Sequence, residues 1–126
     1  MALKLDMSKA YDRVEWPYLL EVMHQMGFSP EWISLMKWCL STVRYTISSG
    51  GRETPSFVPT SGIRQADPLS PYLFLFCMEW LSQLLKQAQE RKEIHGVRVA
   101  RGASEITHIF FADDCYIFCK ADVDEA

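Results

Sequence analysis

The sequence predicts an α+β fold, with a small antiparallel sheet packed on helices, and three observations carry that expectation. Short apolar alternations of period two occur near both ends of the chain, three longer stretches carry apolar residues at helical spacing, and Gly, Pro and Ser pairs punctuate the boundaries. A chain of 126 residues, 48% of them hydrophobic, can bury one core and has no room for a second domain, so one globular unit is expected.

The elements follow in order. Leu3 and Leu5 alternate with Lys4 and Asp6, a strand that would deliver Asp6 at its C-terminal end. Trp16-Pro17 opens a helix with an apolar face of Leu19, Val22, Met23 and Met26, stopped by Gly27. Ser29-Pro30 opens a second helix carrying Ile33, Met36 and Leu40 on one side. Val43, Tyr45 and Ile47 then read as a half-exposed strand, Gly50-Gly51 as a turn, and Phe57-Val58 as the return strand closed by Pro59. After a polar loop, Ser70-Pro71 caps the longest helix, which reaches about Arg91. Its stretch 72–78 is apolar all round and so expected to be deeply buried, while Leu81, Leu84 and Leu85 give the later turns a single apolar face. Val97 and Val99 suggest a further strand. Residues 106–111 and 115–119 then form two apolar, β-rich runs around Ala112-Asp113-Asp114, a hairpin with carboxylates at its tip, and the tail 121–126 is expected to fray.

Composition narrows the function. The longest apolar run is far shorter than the ~20 residues that cross a bilayer, and no charged-then-apolar leader opens the chain, so membrane anchoring and secretion are not expected. Cys39, Cys77, Cys115 and Cys119 lie in apolar stretches, as buried free thiols in a reducing compartment do. A zinc site at Cys115, Cys119 and His108 lacks a complete ligand set. The net charge of −3 requires that any surface gripping nucleic acid be local.

A single aspartate at a strand end is ordinarily a solvated turn former. Asp113 and Asp114 are different, because two adjacent anions between apolar strands repel each other unless a cation neutralises them. Hard carboxylate oxygens favour magnesium or manganese. If the strand ending in Asp6 shares their sheet, three carboxylates converge and can hold two divalent ions, the arrangement that permits phosphoryl transfer.

Three segments now carry a resemblance. Leu-Asp-Met-Ser-Lys-Ala-Tyr-Asp-Arg-Val-Glu-Trp at 5–16, Gly-Ile-Arg-Gln-Ala-Asp-Pro-Leu-Ser-Pro-Tyr-Leu-Phe at 62–74 and Phe-Phe-Ala-Asp-Asp at 110–114 resemble three successive palm motifs of reverse transcriptases, specifically those of non-LTR (LINE-type) retrotransposons. The resemblance implies a partial palm domain over 1–126, with motifs at 3–16, 62–74 and 108–116. Fingers, thumb and endonuclease are expected to be absent from it. It implies an RNA-directed DNA polymerase that extends a DNA primer 3′-hydroxyl with dNTPs on an RNA template. Asp6, Asp113 and Asp114 would be the catalytic carboxylates holding two Mg2+ or Mn2+ ions, with the Met7 carbonyl as a further ligand. Tyr11 matches the family's sugar gate, a ring that clashes with a ribose 2′-hydroxyl; read from the residues alone, it is a core tyrosine on a first helical turn. Arg64, Gln65 and Ala66 would face the incoming nucleotide and template base. Asp12, Ser70 and Pro71 match the motifs in structural roles, Asp12 for local hydrogen bonding. Such a protein works inside the cell, in the nucleus or cytoplasm, and in the nucleus if synthesis is primed at its target site.

One position departs from the pattern: Ala66 stands where the family has glycine. If that backbone has positive φ, the methyl strains the loop and misplaces Gln65, and the isolated chain is expected to be inactive. Hence a decayed retroelement remnant competes with an active polymerase. A metal-dependent phosphohydrolase is a third reading, and a fragment that binds a partner through the helix at 72–85 is a fourth.

Overall fold

The computed structural model describes residues 1–7, 9–111 and 114–120. The chain groups into two compact units, Met1–Ala10 with Met78–Ala126, and Tyr11–Cys77. The expected fraying tail lies outside the described residues.

In the first unit, β1 (Ala2–Asp6), β4 (His108–Phe111) and β5 (Asp114–Phe118) form an antiparallel sheet in the order β1-β5-β4. The central strand β5 pairs with both neighbours: Leu3 lies opposite Ile117 and Asp6 opposite Asp114 on one side, Phe111 opposite Asp114 on the other. Cys115 and Cys119 are buried here, as is Met78. The buried Ser82 and Thr107 hydroxyls reach the two ring nitrogens of His108, at 2.8 Å from Nε2 and 2.9 Å from Nδ1. Burial holds the His108 imidazole below its usual range, Lys86 pushes the same way and Glu79 opposes. β1 ends at Asp6 as its alternation predicts, with Leu3 and Leu5 exposed. One expectation fails in this unit. Val97 makes only a single bridge, to Ile106, and Val99 is exposed, so no strand forms there. The bridge is close: a Cβ on Gly96 would sit 2.3 Å from the Ile106 carbonyl oxygen.

The second unit is built on α1 (Trp16–Gln25) and α2 (Pro30–Ser41), each with proline in its first turn, where a backbone N–H would have no helical carbonyl to bond. Leu19, Val22 and Met23 are fully buried, the face that the spacing predicts. Met26 is exposed instead, since the helix ends at Gln25 and Gly27 turns the chain at φ +85°. The Ser29 hydroxyl caps α2 by accepting from the Trp32 N–H at 3.3 Å. The expected strands at 43–47 and 57–58 shrink to one bridge between Tyr45 and Phe57, beyond which β2 (Ser48–Ser49) and β3 (Arg52–Glu53) close a hairpin. Gly50 and Gly51 both have positive φ there, as a tight two-residue hairpin demands.

The long helix α3 (Ser70–Glu90) contributes its residues as far as Cys77 to this unit and those from Met78 to the other. It begins at Ser70, and just before it the Asp67 carboxylate accepts from the Leu69 N–H at 2.9 Å. Its start is not buried all round. Leu73, Phe74 and Cys77 are buried while Tyr72 and Leu75 are 61% and 59% exposed, and further along Leu84 is exposed and Ser82 buried. All four cysteines are free; Cys39 is half-buried and the other three are buried, with burial pushing the Cys77 thiol up to about 11.

Candidate active site

The two strands that carry the first and third motifs are hydrogen-bonded neighbours. Asp6, the last residue of β1, stands directly opposite Asp114, the first residue of β5. Side chains opposed in this way have Cβ atoms about 4.5–5.5 Å apart, and like charges so placed are destabilising. Asp6 is exposed and Asp114 half-buried, so both carboxylates can meet solvent at one end of the sheet. Asp113 lies outside the described residues.

The repulsion is met by a residue that the sequence motifs do not single out. Lys4 lies two positions before Asp6 on the same side of β1, and its Nζ sits 3.1 Å from Asp114 Oδ1 and 5.6 Å from the centre of the Tyr116 ring. The hydrogen bond to Asp114, together with the charge of that carboxylate, holds the Lys4 ammonium above its usual range. The two-residue spacing of Lys4 and Asp6 on one strand is the signal that could have found it. The donor set, two adjacent carboxylates at an open sheet end, fits a hard divalent cation such as Mg2+ or Mn2+. Among the described residues no group of three His, Cys, Asp or Glu side chains stands together.

In the Tyr11–Cys77 unit, the rear half of the first motif and the front of the second are stitched together. The Gly62 N–H donates to the Val14 carbonyl at 2.8 Å, the Ile63 N–H to the Tyr11 carbonyl at 2.9 Å, and the Trp16 indole N–H to the Gly62 carbonyl at 2.7 Å. Gly62 has φ +86°, and a Cβ there would lie 3.0 Å from the Asp12 carbonyl oxygen. The glycine is therefore required twice, by conformation and by contact. In the sequence Trp16 and Gly62 are no more than a helix start and a motif letter, yet they anchor the loop that follows. The Asp12 backbone lies close against Gly62.

The Tyr11 ring stacks on Phe74, with centres 5.0 Å apart and planes 16° from parallel, in a short 3-10 turn at Tyr11–Arg13. Arg64 and Gln65 are exposed, bear no side-chain hydrogen bond or ion pair among the described residues, and line an open groove with Tyr45, Phe57 and Pro59. Ala66 has φ +64°, the left-handed conformation that the family's glycine would tolerate.

Residues 1–125 match the family described as reverse transcriptase (RNA-dependent DNA polymerase). The chain belongs to that family. Among similar proteins, an uncharacterized mitochondrial protein of Arabidopsis thaliana is 52% identical over 56 residues, 44% of this chain and 46% of that protein. A retrovirus-related Pol polyprotein from a type-1 retrotransposable element of Popillia japonica is 31% identical over 97% of this chain and 19% of its own length. An uncharacterized 149 kDa protein of transposon TX1 from Xenopus laevis is 26% identical over 97% of the chain and 9% of its length. The chain thus spans less than half of each of these relatives, and the likeness to retrotransposon proteins agrees with the non-LTR motif pattern. Among its described residues no helix is long and apolar enough to cross a membrane.

Proposed function

We propose that the chain is the palm portion of an RNA-directed DNA polymerase from a non-LTR retrotransposon, joining dNTPs to a primer 3′-hydroxyl on an RNA template. The observation that carries this reading is the register of β1 and β5, which sets Asp6 against Asp114. Asp6 and Asp114, with Asp113, would hold two divalent ions. When bound, such ions lower the pKa of the attacking hydroxyl and neutralise the leaving pyrophosphate. Tyr11 presents a ring braced against Phe74, so it cannot easily yield to a ribose 2′-hydroxyl, which supports its role as a sugar gate. Arg64 offers an exposed guanidinium to phosphate and Gln65 an amide to polar base edges, from a loop pinned through Gly62. The remaining polymerase segments, fingers and thumb, and nuclear synthesis at a target site belong to the parent polyprotein in this reading.

The left-handed Ala66 favours a second reading, a copy that keeps the architecture but has lost turnover. Grafting the chain in place of the matching segment of the Popillia polyprotein separates the two by primer extension on an RNA template with magnesium. Extension that Asp6→Asn and Asp114→Asn abolish supports an active site. Extension only after Ala66→Gly marks a remnant with one lesion. No extension by either defeats the polymerase reading for this copy.

A further inference from the structure

We propose that Lys4 is a resident counter-ion of the Asp6–Asp114 pair, which a divalent cation must displace to bind. The proposal rests on the reading of that pair as a metal site, and goes beyond it by assigning a competitor within the chain. Two carboxylates in direct cross-strand register repel each other, and in the structure one of them is answered by an ammonium at 3.1 Å from Asp114 Oδ1. A metal ion and this ammonium compete for the same oxygen, because both need the carboxylate ionised and close.

The surroundings suit displacement more than permanent pairing. The Lys4 side chain is 52% exposed and that of Asp114 33%, so the four-carbon stem can swing out without opening a core. The ammonium also lies over the Tyr116 ring at 5.6 Å, which leaves it an attractive neighbour when the carboxylate is taken. An exposed pair of this kind is weak, so the competition should cost only about two- to fivefold in metal affinity. The repulsion within the acid pair is then partly relieved in the metal-free protein, at a modest loss of affinity.

The test is a Mn2+ titration of the full 126-residue chain, followed by water-proton relaxation, on the wild type and on Lys4→Met, Lys4→Arg and Asp114→Asn. Lys4→Met should tighten Mn2+ binding about two- to fivefold, Lys4→Arg should leave it no tighter than wild type, and Asp114→Asn should abolish it. In parallel, reductive methylation of Lys4, read by mass spectrometry, should speed up when saturating Mg2+ frees the amine. Unchanged or weaker binding in Lys4→Met, with Asp114→Asn still abolishing it, overturns the proposal and reduces Lys4 to a strand-pairing residue. A methylation rate indifferent to Mg2+ also overturns it, since the ammonium then stays in place. If neither the wild type nor Lys4→Met binds Mn2+, the metal-site reading falls and takes this inference with it.

Discussion

Replacing Ala66 by glycine should stabilise the protein, against the general rule that glycine loosens a chain. Ala66 sits at φ +64°, where an L-residue with a Cβ costs roughly 1–2 kcal/mol. Glycine removes that strain but gives the unfolded chain more freedom, a loss of about 0.4–1 kcal/mol. Ala66 is exposed, so removing its methyl leaves no cavity to subtract. The balance is a net gain of about 0.5–1 kcal/mol, which for a chain of this size raises the melting temperature by roughly 2–5 °C. Ala66→Val is the opposing control, because a β-branched residue tolerates this region worst and should lower the melting point. Thermal unfolding followed by far-ultraviolet circular dichroism reads both. A melting point that falls in Ala66→Gly, or rises in Ala66→Val, refutes the left-handed assignment.

Other perturbations separate the two units. Gly62→Ala combines φ +86° with a 3.0 Å approach to the Asp12 carbonyl oxygen and should cost about 2 kcal/mol or more in urea unfolding. Leu19→Ala empties a fully buried site on the face that Leu19 shares with Val22 and Met23 and should cost about 2–5 kcal/mol; a loss below about 1 kcal/mol by the same assay would deny that this face is the core. For His108, burial depresses the folded-state pKa, so the unfolded chain binds more protons in the window below 6.5. Stability should be full above that pH and decline as pH falls through the window to the lower folded-state value, and His108→Gln should flatten the slope below about pH 6.5 in urea midpoints.

Much of the site could be read from the chain because strand ends and turns are local. Period-two alternation places Asp6 at the end of β1, and two apolar runs around an acidic pair place Asp114 at the start of β5. What the alternation cannot supply is the order β1-β5-β4, which decides that these two carboxylates face each other. Local patterns mislead where burial depends on what covers a face. Tyr72 and Leu75 complete an apolar girdle around the start of α3 yet stand exposed, because the described residues cover only the side of Leu73, Phe74 and Cys77. Val99 follows Val97 in an apparent strand, but pairing stops after one bridge. Lys4 stands two positions before Asp6 in the sequence, but its ion pair with Asp114 depends on the β1–β5 register, which no local pattern carries.

If Asp6 and Asp114 share one divalent ion across the β1–β5 pair, the metal itself can be made to report both strands. Fe2+ substituted for Mg2+, with ascorbate and peroxide, generates hydroxyl radicals at the bound ion, and backbone cuts mapped by mass spectrometry show what surrounds it. Two clusters of cuts are expected, at the end of β1 and at the start of β5, both suppressed by excess Mg2+ and both lost in Asp114→Asn. Cleavage at only one strand, or at both but indifferent to Asp114→Asn, would contradict a shared ion.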